Sequence, residues 1–348
     1  MRVEVGGLKE GCVLENDIFL VSGKPFMTRD TVLTARLITV LKKFFIEEVE
    51  IKQELENGEK FRLAVSISRE MAKKNVIEDS IKQVENLFSK IASGLSLQFF
   101  EIRQAISPLV EFLKADTNTY GYSLGSMLPG KYIQENMVHS ALLCFKIGEA
   151  LKYDYQDCVQ LAYAGLLNNI GLSKVDDKIL SKLNNLSSKE KEEYYKHPTY
   201  SYSLIQKMEY LKAETKIAIL QHHEFIDGTG FPFKLKAEKI HTYSQITAIV
   251  ELYLELTSHT PFQKPTSYSE SLEIINRMKH QKFRFNVVEA FNKVVFPIHN
   301  SATVILSNGQ AGKIIFVNNQ FLTKPIVQIG QEIIDLSKQK ENEIIKIN

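Results

Sequence analysis

The stretch His222-His223-Glu224-Phe225-Ile226-Asp227-Gly228-Thr229-Gly230-Phe231-Pro232 decides how this chain is read. Adjacent helix positions point about 100° apart, so two neighbouring imidazoles reach one centre only when that centre sits at a helix end. The Asp-Gly-Thr-Gly-Phe-Pro run that follows is a turn sequence that would end such a helix. The spacing therefore permits a pocket at a helix C-terminus. Chance is the competing explanation, because a single histidine is more often a satisfied surface or core residue than a ligand. Six of the eight histidines, His139, His197, His222, His223, His241 and His259, fall between residues 132 and 263.

Outward from this stretch, residues 119 to 300 carry a helical pattern throughout. Ile133, Met137, Ser140, Cys144, Ile147 and Leu151 form one stripe, and Ile246, Ile249, Val250, Tyr253 and Thr257 form another. Before it, residues 56 to 118 read as a helical connector. Ile81, Val84, Phe88 and Ile91 share one face, and Ile102, Ile106, Leu109 and Leu113 another, on helices that connect or dimerise; Asp116 to Gly125 reads as a linker. Residues 1 to 55 read as a small α/β module. Short strands run around Val3, Val5, Val13 and Ile18, with a turn at Ser22-Gly23-Lys24-Pro25. A helix follows through Leu33, Leu37, Leu41 and Phe44 behind a cap at Asp30 or Thr31, and Val49-Glu50-Ile51 returns as a strand. Residues 301 to 348 read as a β-rich extension, with Asn308-Gly309 as a hairpin signal between β-branched runs.

Composition narrows the function classes. Of 348 residues, 44% are apolar and 24% charged, which excludes disordered and collagen-like chains. No run approaches the ~18 to 20 consecutive apolar residues of a membrane helix, and the start has no apolar signal core. Forty-three basic against 41 acidic residues give a net charge of +2 and no field that would select a nucleic-acid polymer. Cys12, Cys144 and Cys158 include no Cys-x-x-Cys pair, which argues against disulfides and thiolate metal sites. A soluble, reduced, cytoplasmic chain is the expectation.

The order of motifs adds what single histidines cannot. Val138-His139-Ser140, Gly165-Leu166-Leu167-Asn168-Asn169-Ile170-Gly171, Asp177 to Lys182, His197-Pro198, His222-His223-Glu224, Asp227 to Pro232 and Glu251 follow one another in the chain. This sequence resembles the HD-GYP family, the branch of HD-domain metal phosphohydrolases that hydrolyses cyclic di-GMP. The resemblance implies a mainly α fold: an HD-GYP-type helical domain carrying a small N-terminal α/β module and a small C-terminal β appendage. It also implies a dinuclear or trinuclear metal centre bridged by the aspartate of a His-Asp pair.

Here that pair is Asn168-Asn169. An amide cannot replace a bridging carboxylate, and Asn168 lacks the imidazole lone pair. Adjacent metals ~3.5 to 4 Å apart repel without anionic ligands between them, so the dinuclear centre should be lost. The resemblance leaves His197, His222, His223 and Glu251 as residual ligands for one divalent transition metal (manganese, iron or zinc) or as side chains packed in an emptied pocket. His139 is a pocket neighbour. Lys182, Gly230, Phe231 and Pro232 are the candidate ligand contacts, while Leu172 replaces a family lysine, and Thr260 and Gln263 replace family arginines. Each lost cation forfeits roughly 1.5 to 3 kcal/mol. The expectation is a catalytically degenerate relative that acts by binding in signalling or regulation, with no catalytic residue of its own, a protein partner and weakened cyclic di-GMP binding. The alternatives are a weak metal-dependent cyclic di-GMP phosphodiesterase and a purely structural homodimer.

Overall fold

The computed structural model describes residues 2–5, 8–19, 25–43, 46, 48–59, 64–115, 132–182, 186–258, 266, 268–296, 302–318, 322–339 and 342–347. It divides into two compact units, Met1–Val76 and Ile77–Asn348. The sequence features at Ser22 to Lys24, Phe44, Asp116 to Gly125, and His259 to Gln263 lie outside the described residues.

The first unit is built from three antiparallel pairs. β1 (Arg2–Glu4) pairs with β6 (Glu48–Glu50), β2 (Cys12–Val13) with β5 (Val32–Leu33), and β3 (Ile18–Phe19) with β4 (Pro25–Met27). α1 (Ala35–Lys43) lies between β5 and β6 in the chain. Cys12, Leu14, Leu33, Leu41 and Ile51 form the centre of its core, each fully buried. The helix cap differs from expectation: Asp30 takes a left-handed turn at φ 65, and Thr34 caps instead, its Oγ1 accepting from Leu37 N at 3.3 Å. The reason is that Val32 and Leu33 are committed to the β2 pairing, so the helix begins only after them.

α2 (Ala64–Ala92) crosses the boundary between the units and leads to α3 (Phe99–Ala115). The second unit continues through α4 (Tyr132–Ala150), α5 (Tyr155–Leu167), α6 (Asp177–Leu180), α7 (Ser188–Tyr194), α8 (His197–Ile205), α9 (Ala213–Gln221), α10 (Thr242–Thr257), α11 (Tyr268–Arg277) and α12 (Phe285–Val295). α4 is its central element, packed on α5, α10 and α12. Its stripe Met137, Ser140, Cys144 and Ile147 is fully buried. α9 packs on α5, α8 and α10, and the ends of α5 and α9 and the start of α8 meet beside the middle of α10. A capping box at Ser187 and Glu190 starts α7.

The chain closes in one antiparallel sheet of β7 (Thr303–Leu306), β8 (Ala311–Phe316), β9 (Ile326–Ile329), β10 (Glu332–Asp335) and β11 (Ile344–Ile347), in the order β10-β9-β8-β7-β11. Gly309 turns β7 into β8 at φ 82, a conformation that glycine adopts without steric cost. All three cysteines are free and buried, and no described helix is long and apolar enough to cross a membrane.

Gly171 makes one of the closest approaches among the described glycines of the helical unit. A Cβ there would lie 2.3 Å from the His197 carbonyl oxygen and 2.4 Å from Ser201 N, both backbone atoms with little freedom to yield. We therefore expect Gly171→Ala to destabilise the fold by about 1–3 kcal/mol, the cost of overpacking. Urea denaturation followed by circular dichroism measures it, and an unchanged midpoint would contradict this packing.

Candidate functional site

Four chain segments meet at the site. The α5 helix ends at Leu167, with Asn168 as its cap and Asn169 opening a 3-10 turn over Ile170–Lys174. His197 opens α8, where Pro198 suits a first helical turn that needs no amide donor. His222 is the C-cap of α9, and His223 follows it out of the helix. Glu251 projects from the middle of α10. Ser201 ties two of these segments together: its Oγ donates to the Asn168 carbonyl at 2.7 Å and accepts from Gly171 N at 2.8 Å.

The asparagine pair is fully engaged. Asn168 Oδ1 accepts from Asn169 N at 2.8 Å, which orients that amide and turns its NH2 towards Glu251. Asn168 Nδ2 then donates to Glu251 Oε2 at 2.9 Å, and Asn169 Nδ2 donates to Glu251 Oε1 at 2.8 Å. Both carboxylate oxygens thus carry an amide donor, and all three residues are buried.

The imidazoles form a second cluster. Ligand atoms of His197, His222 and His223 lie within 4.8 Å of one another. His197 Nδ1 is 2.8 Å from the Tyr194 carbonyl and His222 Nδ1 is 2.7 Å from the Ile219 carbonyl. A carbonyl only accepts, so both Nδ1 atoms carry protons, the tautomer that metal-ligating histidines adopt. Burial lowers the pKa of all three rings: His222 falls to about 4, and mutual repulsion adds to burial for His197 and His223. Neutral rings in this tautomer leave the Nε2 lone pairs of His197 and His222 facing each other at 3.1 Å. That contact is repulsive until a cation or a shared proton relieves it, and burial disfavours the proton. His223 Nε2 is buried without a hydrogen-bond partner. The three imidazoles therefore fit a single transition-metal ion and by themselves supply no anionic group between two.

The remaining sequence candidates take diverse positions. Phe231 is not an exposed tip: it stacks between His223 at 4.3 Å and Tyr195 at 4.2 Å, centroid to centroid, and Tyr195 is the outer, exposed ring. Gly230 is buried where a Cβ would meet the His223 carbonyl at 2.3 Å, and half-buried Pro232 follows. Glu224 holds this loop, accepting from Phe233 N at 2.6 Å and Leu235 N at 2.8 Å. Lys182 is exposed and pairs with Glu190 at 3.5 Å. His139 is half-buried on α4.

Sequence reasoning missed Glu255. A carboxylate oxygen of Glu255, one of Glu251 and a ring nitrogen of His223 lie within 4.8 Å of one another. Its signal was the i, i+4 spacing from Glu251 on a helix, which places both on one face. Asn136 and Tyr194 line the cleft beside this pair and were also missed.

The comparisons with known proteins agree with this geometry. The HD-domain family model matches residues 124–287. Over these residues the chain is similar to HD domains. A cyclic di-GMP phosphodiesterase of Pseudomonas aeruginosa is 28% identical over 292 residues, covering 77% of this chain and 70% of that relative. A cyclic di-GMP phosphodiesterase of Thermotoga maritima is 25% identical over 215 residues, 61% of this chain and only 53% of its own length. Among solved structures, an HDG"Y"P protein from Bdellovibrio bacteriovorus superposes with a TM-score of 0.51 at 15% identity, covering 85% of this chain and 99% of that one. The fold is mainly α, an HD-GYP-type helical domain with small strand-rich N- and C-terminal parts.

Burial raises the carboxyl pKa of Glu251 to about 7, against the opposing Asn169 and Asn168 hydrogen bonds. Burial and repulsion by Glu251 raise that of Glu255 to about 8. A carboxyl whose folded pKa exceeds its unfolded value stabilises the fold while protonated. In chelator, stability should thus fall as pH rises from about 4.5, the ordinary value, through about 7 and 8. Glu255→Gln should flatten that fall in denaturation curves taken across the range, and an identical slope in the variant would contradict the coupling.

Proposed function

We propose that this HD domain is catalytically silent and acts by binding in signalling or regulation. The observation that carries this reading is the pair of hydrogen bonds from Asn168 and Asn169 to both oxygens of Glu251. Where a two-metal hydrolase needs a bridging carboxylate, this chain has neutral amides that satisfy a carboxylate from α10 instead. Any ion held here is single and takes its nitrogen from the imidazole cluster, of which His223 also lies beside two carboxylates. A divalent cation would supply Lewis-acid polarisation at this position. The chain's own contribution is to hold the imidazoles in the ligating tautomer through the Tyr194 and Ile219 carbonyls.

The phosphodiesterase names of the relatives support cyclic di-GMP as the ancestral ligand, and the chain's contacts with it are reduced. Lys182 is the retained basic candidate, and its partner is Glu190. Phe231 is covered on both faces, which leaves Tyr195 as the exposed ring of the stack and the better candidate for a protein contact. Weak hydrolysis by a single-metal site is the second reading, favoured by the facing lone pairs of His197 and His222.

An assay with manganese, iron and zinc separates them. We expect no hydrolysis of cyclic di-GMP, and turnover near ~1 per second would establish the second reading. The double change Asn168→His with Asn169→Asp should raise metal content by elemental analysis, with activity lagging behind it. In calorimetry, cyclic di-GMP should bind weakly or not at all; a dissociation constant at or below ~1 μM would mean that the pocket still reads the dinucleotide.

A further inference from the structure

Glu255 belongs to none of the motifs that mark the chain as an HD domain, yet it faces the same cleft as Glu251. A carboxylate oxygen of each and a ring nitrogen of His223 lie within 4.8 Å of one another. Two carboxylate oxygens and a ring nitrogen brought this close in one cleft form a ligand set that suits a cation.

Two further atoms favour the cation. Asn136 lines the cleft, is 2% exposed, and its Oδ1 has no hydrogen-bond partner. His223 Nε2 is likewise buried and unpartnered. Asn136 Oδ1 and the carboxylates are acceptors, and His223 adds one when Nε2 is its unprotonated nitrogen, a set that attracts a cation and repels a phosphate. The free space beside them is that of one ion or water, not of a nucleotide. Charge balance points the same way. A dication held by three neutral imidazoles alone would be buried without a counter-charge, at a cost of several kcal/mol after relaxation. An ion on His223 has two carboxylate oxygens within reach.

We propose that the chain holds one divalent transition-metal ion at His223, with Glu255 as its anionic ligand beside Glu251 and with Asn136 Oδ1 facing the ion. Glu255 takes over the charge that the family's lost aspartate carried, from a different helix. Mixed imidazole and carboxylate ligands suit manganese, iron(II) or zinc. The inference rests on the reading that Asn168 and Asn169 have removed the bridged two-metal centre.

The test is manganese and zinc titration of the full chain by calorimetry, with elemental analysis of protein purified without chelator. Wild type should bind one ion, and metal should raise its melting temperature by mass action. Glu255→Gln should weaken binding at least ten-fold, Glu255→Asp should restore part of it, and His197→Ala should cost less than Glu255→Gln. Unchanged affinity in Glu255→Gln with loss in His197→Ala would overturn the proposal in favour of three imidazoles alone. Absence of ion binding by wild type would overturn it in favour of a shared proton. Hydrolysis is read separately: turnover of cyclic di-GMP would sink the silent-domain reading whatever Glu255 does, and metal binding independent of Glu255 would sink this inference alone.

Discussion

The two amide hydrogen bonds to Glu251 are the constraint on which the rest of the site depends. Glu251 sits on α10, at the centre of the helical unit, and cannot escape to water. A buried carboxylate without partners would cost several kcal/mol, so something on the facing segment must donate to it. Asn168 and Asn169 do so in a fixed orientation, because the Asn168 oxygen is already used by a backbone N–H. The same segment is held to α8 by Ser201, whose hydroxyl bridges Asn168 and Gly171. One short stretch of chain thereby sets the position of Glu251 and of the helix that presents His197.

In the proposed silent domain, this arrangement is a division of labour that a two-metal centre would not tolerate. Neutral donors occupy the side of the site where cations would be bridged, while three imidazoles and one additional carboxylate occupy the other. His223 is the residue common to both clusters of ligand atoms. It is also the inner ring of the stack that runs through Phe231 to the exposed Tyr195. The loop that follows it is held by Glu224 through two backbone amides. His223 therefore links the ligand clusters to the surface loop through a single side chain.

Much of this was legible in the sequence, and the reasons for the misses are physical. The helical stripes of α4 and α10 were readable because burial imposes a 3.6-residue period, and Asn308-Gly309 because only certain residues adopt that turn. The helix end at His222 followed from the turn-forming residues after it. Thr34 was missed as a cap because the Val32–Leu33 strand pairing is a tertiary fact that local propensity does not carry. The fate of Asn168 and Asn169 was legible only as a loss. That their amides face Glu251 depends on the meeting of α5 with α10, 83 and 82 residues apart in the chain. Glu255 escaped because a lone glutamate on a helix reads as a solvated charge; only the packing of α4 and α7 residues around it makes it part of a cleft.

Anomalous diffraction at the manganese edge, from crystals of the full chain grown with excess manganese, tests the central claim most directly. The account predicts one peak beside His223, with the side chains of Asn168 and Asn169 still within hydrogen-bond distance of Glu251. Two peaks about 3.5–4 Å apart on either side of the asparagine pair would contradict it, because two such ions require the bridge that these amides cannot form.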